Sequence, residues 1–572
     1  MTTLFQVEGN VAEALFTLKI HRGEGMALLA MNWKAAPPPD DFVGFAIEYR
    51  EPNGSRFFPL KNRLTFDGNA GDAPSAVRPP TYSTLVAPIQ KFRWVHFARN
   101  AELDGSFSYR AKPVFMGADY ALSYGVAQTA DIVLARETVP GVLNIAFTRG
   151  FISSQAFVDR YLDDGPIDTL LPDQAADGLT FAPTHKDAAD AYDWMGFEAR
   201  REILALLDAG IADPTAHVGV VAFDFNLPDL MEKVEALGDR VRIIIDDSKD
   251  HHGDNAAEDQ AEARLSAAGI QVRRQHMKTL QHNKTIVVNG DRVKRIICGS
   301  TNMSWRGFYA QNNNAFVVDG AAAVDIFQAA FDQYWDAPSG FGKSASAGWS
   351  GLAIDGVDAQ IAFSPHSSKN SVLQGIADDI LAAESSLLYS LAFLNITPGV
   401  IRDAVEAKTG DDRLFVAGIS DKRTGVEVAV GSSNLPPTYV AALDKNVPNP
   451  FRAEPSGLTG GGGGTRMHHK FLVLDFNTEA ARVYLGSYNM SKAADGQNGE
   501  NLVLVRDRRV ATSYMIEAMR IIDHYQFRVA RQAAKKKGDN LKLKRPPSVG
   551  ETAWWAEDFS DPRKIKDREL FA

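Results

Sequence analysis

Two short segments of the chain place a histidine and a lysine two residues apart at the start of an apolar run. The first is His282-Asn283-Lys284, followed by residues 285–288 and Asn289; the second is His468-His469-Lys470, followed by residues 471–474 and Asp475. In a β-strand, residues i and i+2 face the same way, so each histidine would project beside its lysine. A Gly-Ser-x-Asn block follows each segment and supplies Ser300 and Asn302 to the first, Ser487 and Asn489 to the second. If the two clusters meet, two histidines, two lysines, two serines and two asparagines surround one pocket. That set suits cleavage of a phosphodiester. Lysines and amide donors neutralise and orient the non-bridging oxygens. One imidazole can attack phosphorus and form a phosphohistidine, while the other protonates the leaving oxygen and then activates water. The lysines supply the positive charge, so neither a metal nor a cofactor is expected.

The elements that must position these residues occur twice. Helix-length segments alternate with apolar strands from residue 178, the pattern of an α/β domain. Residues 188–209, 230–237 and 257–268 read as helices, and residues 218–223 and 241–245 as strands. A second α/β pattern runs over residues 361–528. Thr180-Phe181-Ala182-Pro183 is matched to Ala362-Phe363-Ser364-Pro365, and Cys298-Gly299-Ser300-Thr301-Asn302-Met303-Ser304 to Leu485-Gly486-Ser487-Tyr488-Asn489-Met490-Ser491. Each copy closes with a strand and a helix. A domain duplicated once predicts a pseudo-twofold interface. Before the copies, β-rich stretches alternate with the turn signals Asn53-Gly54 and Asp104-Gly105, which predicts a β-sandwich of immunoglobulin or fibronectin type. The expected division is a sandwich over residues 1–140, lobes over 141–340 and 352–530, and a basic, then aromatic tail over 531–572. Residues 339–351, rich in Ser, Gly and Ala, read as a linker.

Composition bounds this reading. The chain has 572 residues, 45% hydrophobic and 23% charged, which excludes disorder or a disulfide scaffold as its main character. Its one cysteine, Cys298, can form no intrachain disulfide and fits a reducing compartment. The net charge of -10 leans against a protein that coats nucleic acid. No apolar run is long enough for a spanning helix. No Lys or Arg precedes Lys19, so no secretory signal is read and a cytoplasmic location is expected, with signal-independent export left open.

His-x-Lys-(x)4-Asp followed by Gly-Ser-x-Asn, present twice, resembles the phospholipase D superfamily. The second copy carries His468, Lys470, Asp475, Gly486, Ser487 and Asn489; the first departs once, with Asn289 in place of the usual Asp. The resemblance covers residues 178–528 and implies two α/β lobes with the site between them. It implies a hydrolase of phosphoric diester bonds, with phospholipid as substrate and an alcohol able to replace water in transphosphatidylation. The alternatives are a metal-independent nuclease, with identical motif residues, and a non-catalytic phosphate-binding module. Peripheral membrane contact and nucleic acid stay open as partners. The absence of spanning helices argues against a membrane-integral cardiolipin synthase.

By the same resemblance, Asn289 and Asp475 are structural, and each histidine is oriented by a downstream carboxylate or amide. Glu500 is assigned to His468 and Asn313 to His282. A carboxylate raises imidazole basicity while an amide fixes orientation only. The resemblance makes His282 the nucleophile and His468 the general acid/base; a carboxylate under His468 favours the reverse order. His276-Met277-Lys278 lacks a Gly-Ser block at the required distance. His469 should point to the opposite strand face and be structural. His251-His252, with Asp250 and Asp254, reads as a solvated polar loop. The glycines at 460–464 read as a tether before the second motif. The basic stretch around Lys535, Lys536 and Lys537 reads as a solvated tail, with Trp554, Trp555 and Phe559 available to dock it back onto the body.

Overall fold

The computed structural model describes residues 4–572 except 36, 68–79, 99, 135–136, 151–156, 158–160, 162–164, 166, 254–255, 393, 395–396, 412, 423–424, 431–467, 537 and 539–540. The glycines at 460–464, Asp254 and Lys537 lie outside the described residues. The N-terminal region forms two antiparallel sheets. One runs in the order Gln6–Glu8, Phe16–Gly23, Met26–Trp33, Arg93–Phe97; the other centres on Ser106–Met116 and Phe42–Arg50. Both turn signals do their expected work. Asn53 turns at φ 60° before the strand Phe58–Pro59, and Gly105, at φ 112°, precedes Ser106–Met116. Phe16, Ile20, Leu29, Phe45, Phe107 and Ile132 fill the space between the sheets, as alternation of inward residues requires.

Beyond residue 140 the chain is a mixed α/β structure built on two larger sheets. The first runs Leu143–Phe147, Asn314–Asp319, Lys294–Gly299, Thr285–Asn289, His217–Ala222, Val241–Ile245, Gln271–Arg274. The second contains, in the same order, Asp358–Ser364, Glu500–Arg506, Arg482–Gly486, Lys470–Leu474, Ser386–Leu391, Phe415–Lys422. Parallel strands, three in the first sheet and two in the second, are followed by the strand after His-x-Lys, then the strand leading into Gly-Ser, then one that begins near the orienting residue. The match of Thr180-Phe181-Ala182-Pro183 to residues 362–365 is corrected by the pairing. Phe147 pairs with Asn314 as Phe363 pairs with Asn501, so the true counterpart of Ile361-Ala362-Phe363-Ser364 is Ile145-Ala146-Phe147-Thr148. Thr180–Pro183 forms no strand; it follows an insertion within the first copy.

A common core joins the sheets. Val287, Ile296 and Phe316 from the first and Phe471, Val483 and Val503 from the second pack with the helices Ala321–Asp336 and Arg508–Lys536. Residues 339–351 are packed rather than a free linker: Phe341 is buried and stacks on Tyr334 at 3.9 Å, and Ser350 pairs with Ile361. The C-terminal segment is docked from Lys542 onward, while the side chains of Lys535, Lys536 and Lys537 lie outside the described residues. Lys542 pairs with Asp67, and the Leu543 amide donates to the Thr65 carbonyl at 3.0 Å. Trp554 donates through Nε1 to the Phe42 carbonyl at 2.9 Å and stacks on Phe92. A last helix, Pro562–Phe571, starts from an Asp561 cap with proline in its first turn and buries Phe571 against Phe476. Apolar burial of these aromatics outweighs the solubility of the basic residues between them. Among the described residues no helix is long and apolar enough to cross a membrane.

Candidate active site

His282 and Lys284 precede the strand Thr285–Asn289, and His468 precedes Lys470–Leu474. A parallel bridge between Gln281 and Gly499, closed by the Gly499 amide on the Leu280 carbonyl at 2.9 Å, ties the two segments across the interface. The imidazoles of His282 and His468 face each other with centroids 6.2 Å apart. Both are almost wholly buried, at 5% and 6% exposure. Lys284 Nζ donates to the His282 carbonyl, and Lys470 Nζ to the His468 carbonyl at 2.6 Å. The four residues read from the sequence as a cluster are therefore assembled. The two glycines of the Gly-Ser blocks are required by close approach. Gly299 and Gly486 have φ of 143° and 138°, and a Cβ there would strike the carbonyls of Asn314 and Asn501.

The orienting residues are crossed relative to their expected assignment. His282 Nδ1 lies 2.7 Å from Glu500 Oε2, and His468 Nδ1 lies 2.8 Å from Asn313 Oδ1 and 3.1 Å from the Ser300 carbonyl. The reason is strand order. Within each sheet the Gly-Ser strand separates the His-x-Lys strand from the one bearing Glu500 or following Asn313, so these residues reach the opposite histidine. Glu500 is held by Ser487 Oγ at 2.7 Å and Asn498 Nδ2 at 3.1 Å, both donating. Asn313 is fixed by donating Nδ2 to the Gly307 carbonyl at 2.9 Å, which leaves its oxygen for His468. Ser487 thus orients the carboxylate, and Ser300 Oγ accepts the Asn314 amide at 3.0 Å. Asn302 and Asn489 each bury a side-chain oxygen that has no hydrogen-bond partner.

Asn289 and Asp475 lie away from the imidazoles, with different partners. Asp475 accepts the backbone amides of Glu384, Ser385 and Ser386 and so pins the start of Ser386–Leu391. Among the described residues, Asn289 Oδ1 accepts from Lys294 Nζ, at 2.7 Å. In the first sheet the amide-gathering is done by Asp213, which accepts from Thr215, Arg292 and Val293. Those bonds, led by the Thr215 hydroxyl, hold its carboxyl down at about 2. The carboxylate missing at 289 is therefore supplied from the neighbouring segment.

Burial, with Lys284 and Lys470 close by, pushes both imidazoles well below the usual histidine range. Burial also lowers Lys284 to about 8 and raises Glu500 to about 8. A bound phosphodiester anion would offset the lysines and raise the imidazole whose proton is needed.

Sequence reasoning missed a second charged group. His251, expected in a solvated loop, is buried and bridges Asp224 and Asp246. Its neighbour His252 is exposed beside Asp259, as expected for a loop. His276 pairs with Asp247 in the open, and His469 is fully buried on Glu517. Among the described residues, Asp224, His251 and Glu258 bring ligand-type atoms within 4.8 Å of one another. Burial works against a charged ring at His251, but hydrogen bonds to Asp224 and Asp246 prevail and raise it to about 10. An imidazolium offers no lone pair to a cation. Beneath Lys284 a cavity of about 10 Å³, lined by Ile286, Cys298 and Thr301, has room for no more than a water molecule.

Residues 212–335 match the family described as "Cardiolipin synthase, PLD-like domain". No curated protein sequence matches the chain. Among solved structures, the chain is similar to Nuc of Salmonella typhimurium, a phospholipase D family member, at 24% identity over 24% of this chain and 87% of that one, with a TM-score of 0.21. It is similar to the phosphatidylserine synthase of Haemophilus influenzae at 12% identity over 66% and 93%, with a TM-score of 0.39. Yeast tyrosyl-DNA phosphodiesterase is similar at 12% identity over 53% and 85%, with a TM-score of 0.29. The matched residues 212–335 hold His282, Lys284, Ser300, Asn302 and Asn313, so the segment similar to the phospholipase D-like domain contains the first of the two motif copies.

Proposed function

We propose that this protein is a phosphodiesterase that cleaves phospholipid phosphodiester bonds through a phosphohistidine. The observation that carries the reading is the pair of facing imidazoles, each with its Nδ1 on an acceptor from the opposite sheet. An Nδ1–H held in this way leaves Nε2 of each ring for the substrate. His282 is the nucleophile, because the Glu500 carboxylate stabilises the positive charge its ring gains as the N–P bond forms. The P–O bond to the leaving group breaks, and His468, protonated at Nε2, gives that proton to the departing oxygen. In the second step water attacks phosphorus, His468 takes its proton, and the N–P bond breaks to free His282. An alcohol in place of water gives the transferred ester. Lys284 and Lys470 supply positive charge beside the non-bridging oxygens.

The substrate class is favoured by the net charge of -10, which repels an extended polyanion such as DNA or RNA. The test is a parallel assay of the purified chain on phosphatidylcholine and phosphatidylglycerol vesicles, single- and double-stranded DNA, and RNA, with EDTA present and absent. Headgroup release that persists in EDTA and is lost in both His282→Ala and His468→Ala is expected. Cleavage confined to nucleic acid would replace lipid by nuclease chemistry. Turnover that survives either substitution would defeat the paired-histidine mechanism.

A further inference from the structure

A buried charge cluster at the ends of two parallel strands stands next to the nucleophile and is not used in the proposed chemistry. The strand His217–Ala222 leads into Phe223 and Asp224, and Val241–Ile245 leads into Asp246. His251 lies between them, with Nε2 3.1 Å from Asp224 Oδ1 and Nδ1 2.8 Å from Asp246 Oδ2. Each carboxylate has a second partner in the active site's framework. Asp246 Oδ1 accepts the amide of Gln281, the residue before His282, at 2.5 Å. Asp224 Oδ2 accepts the hydroxyl of Ser304, at the end of the first Gly-Ser block, at 3.2 Å. The Phe223 ring is in edge contact with His251 at 4.3 Å and with His282 at 4.7 Å, and Lys284 Nζ lies over it at 4.7 Å.

Among the described residues, the second sheet differs at the position of Phe223. Val221 pairs with Thr285, directly after Lys284, and Ser390 pairs with Phe471, directly after Lys470. Two residues on, Ala392 therefore stands where Phe223 does. The other charged groups around His251 are Glu258, Arg274, which donates to the His251 carbonyl, and Lys284 and Arg306, which act on Asp224.

We propose that His251 is a positioning residue: as a doubly hydrogen-bonded cation it locks the two strand ends, and through the Gln281 amide and the Phe223 ring it sets His282 and Lys284 for attack on phosphorus. The inference rests on the phosphodiesterase reading. A misplacement of about 1 Å at a reacting group can cost two orders of magnitude in rate, so the loss should fall on the first displacement and not on substrate binding.

The experiment is stopped-flow release of p-nitrophenolate from bis(p-nitrophenyl) phosphate by the full chain, its His251→Gln and His251→Ala variants, and Asp246→Asn. Thermal unfolding run alongside identifies the folded variants. The expected result is a burst rate lowered about tenfold or more in each folded variant, with KM held within about twofold, and partial recovery of His251→Ala by added imidazole. If His251→Ala fails to fold, His251→Gln decides. A folded His251→Gln with the wild-type burst rate, or a loss carried by KM alone, overturns the inference while leaving the phosphodiesterase reading intact. A wild-type chain that turns over no phosphodiester overturns both.

Discussion

Glu500 lies 2.7 Å from His282 Nδ1, although 218 residues of chain separate them. The Ser487 hydroxyl and the Asn498 amide hold the same carboxylate, so its position is set before substrate arrives. Glu500→Gln keeps the shape but removes the charge that stabilises the His282 cation. It should lower kcat about 10²-fold or more, while Asn313→Ala, which takes only an orienting amide from His468, should cost about tenfold. Steady-state kinetics on one chromogenic diester compare the two. Equal losses would remove the asymmetry that makes His282 the nucleophile.

The pH dependence follows from two neighbouring groups of opposite sign. Glu500, raised to about 8 by burial, must lose its proton to accept from His282, so activity rises with pH through that value. Lys284, lowered to about 8 by burial, must keep its proton to face phosphate, so activity falls beyond it. A narrow bell in kcat/KM centred near pH 8 is expected. A profile flat from pH 6 to 10 would show that neither group titrates in the reacting enzyme.

The two motif positions 289 and 475 should differ in weight. Asp475 collects three backbone amides at the start of Ser386–Leu391, and Asp475→Asn should destabilise the fold by about 1–3 kcal/mol. Asn289→Asp should change stability by less than about 0.5 kcal/mol, because Asp213 already serves the first sheet. Denaturant unfolding of the two variants measures both, and a large gain from Asn289→Asp would contradict this division of labour.

Stability should also report Glu198, which is buried in the helix Ala188–Ala212 with Oε2 unpartnered. Burial raises its carboxyl from 4.5 to about 8, so the folded state binds a proton that the unfolded chain releases earlier. Its contribution to stability is present below about pH 4.5 and declines as pH rises to about 8. Glu198→Gln removes this slope. Its melting temperature should match the wild type at pH 4.5 and exceed it at pH 8.5; a constant difference across that range would assign the effect to packing.

Much of the site was legible because its chemistry is local. His-x-Lys and Gly-Ser-x-Asn are spaced by strand geometry, and their repetition fixes the register of each sheet. What sequence could not give is which residue meets which across the interface. Glu500 lies near His468 in the chain, but the Gly-Ser strand comes between their strands, and the reach is to His282. The start of the first copy was missed because Thr180-Phe181-Ala182-Pro183 imitates the later motif. Ile145-Ala146-Phe147-Thr148 is the better match, hidden by the long insertion that follows it. His251 escaped for a different reason: among Asp250, Gly253 and Asp254 it has the surroundings of a surface turn, and only the ends of two distant strands bury it.

The crossed bonds have a consequence for the molecule as a whole. Neither half of the duplication holds a complete catalytic unit, since each imidazole takes its orientation from the other half. Damage at Glu500 is felt as a fault of His282, and damage at Asn313 as a fault of His468. Severing the chain at the junction should leave two silent fragments that regain activity only when they reassociate. The halves are bound to change together or not at all.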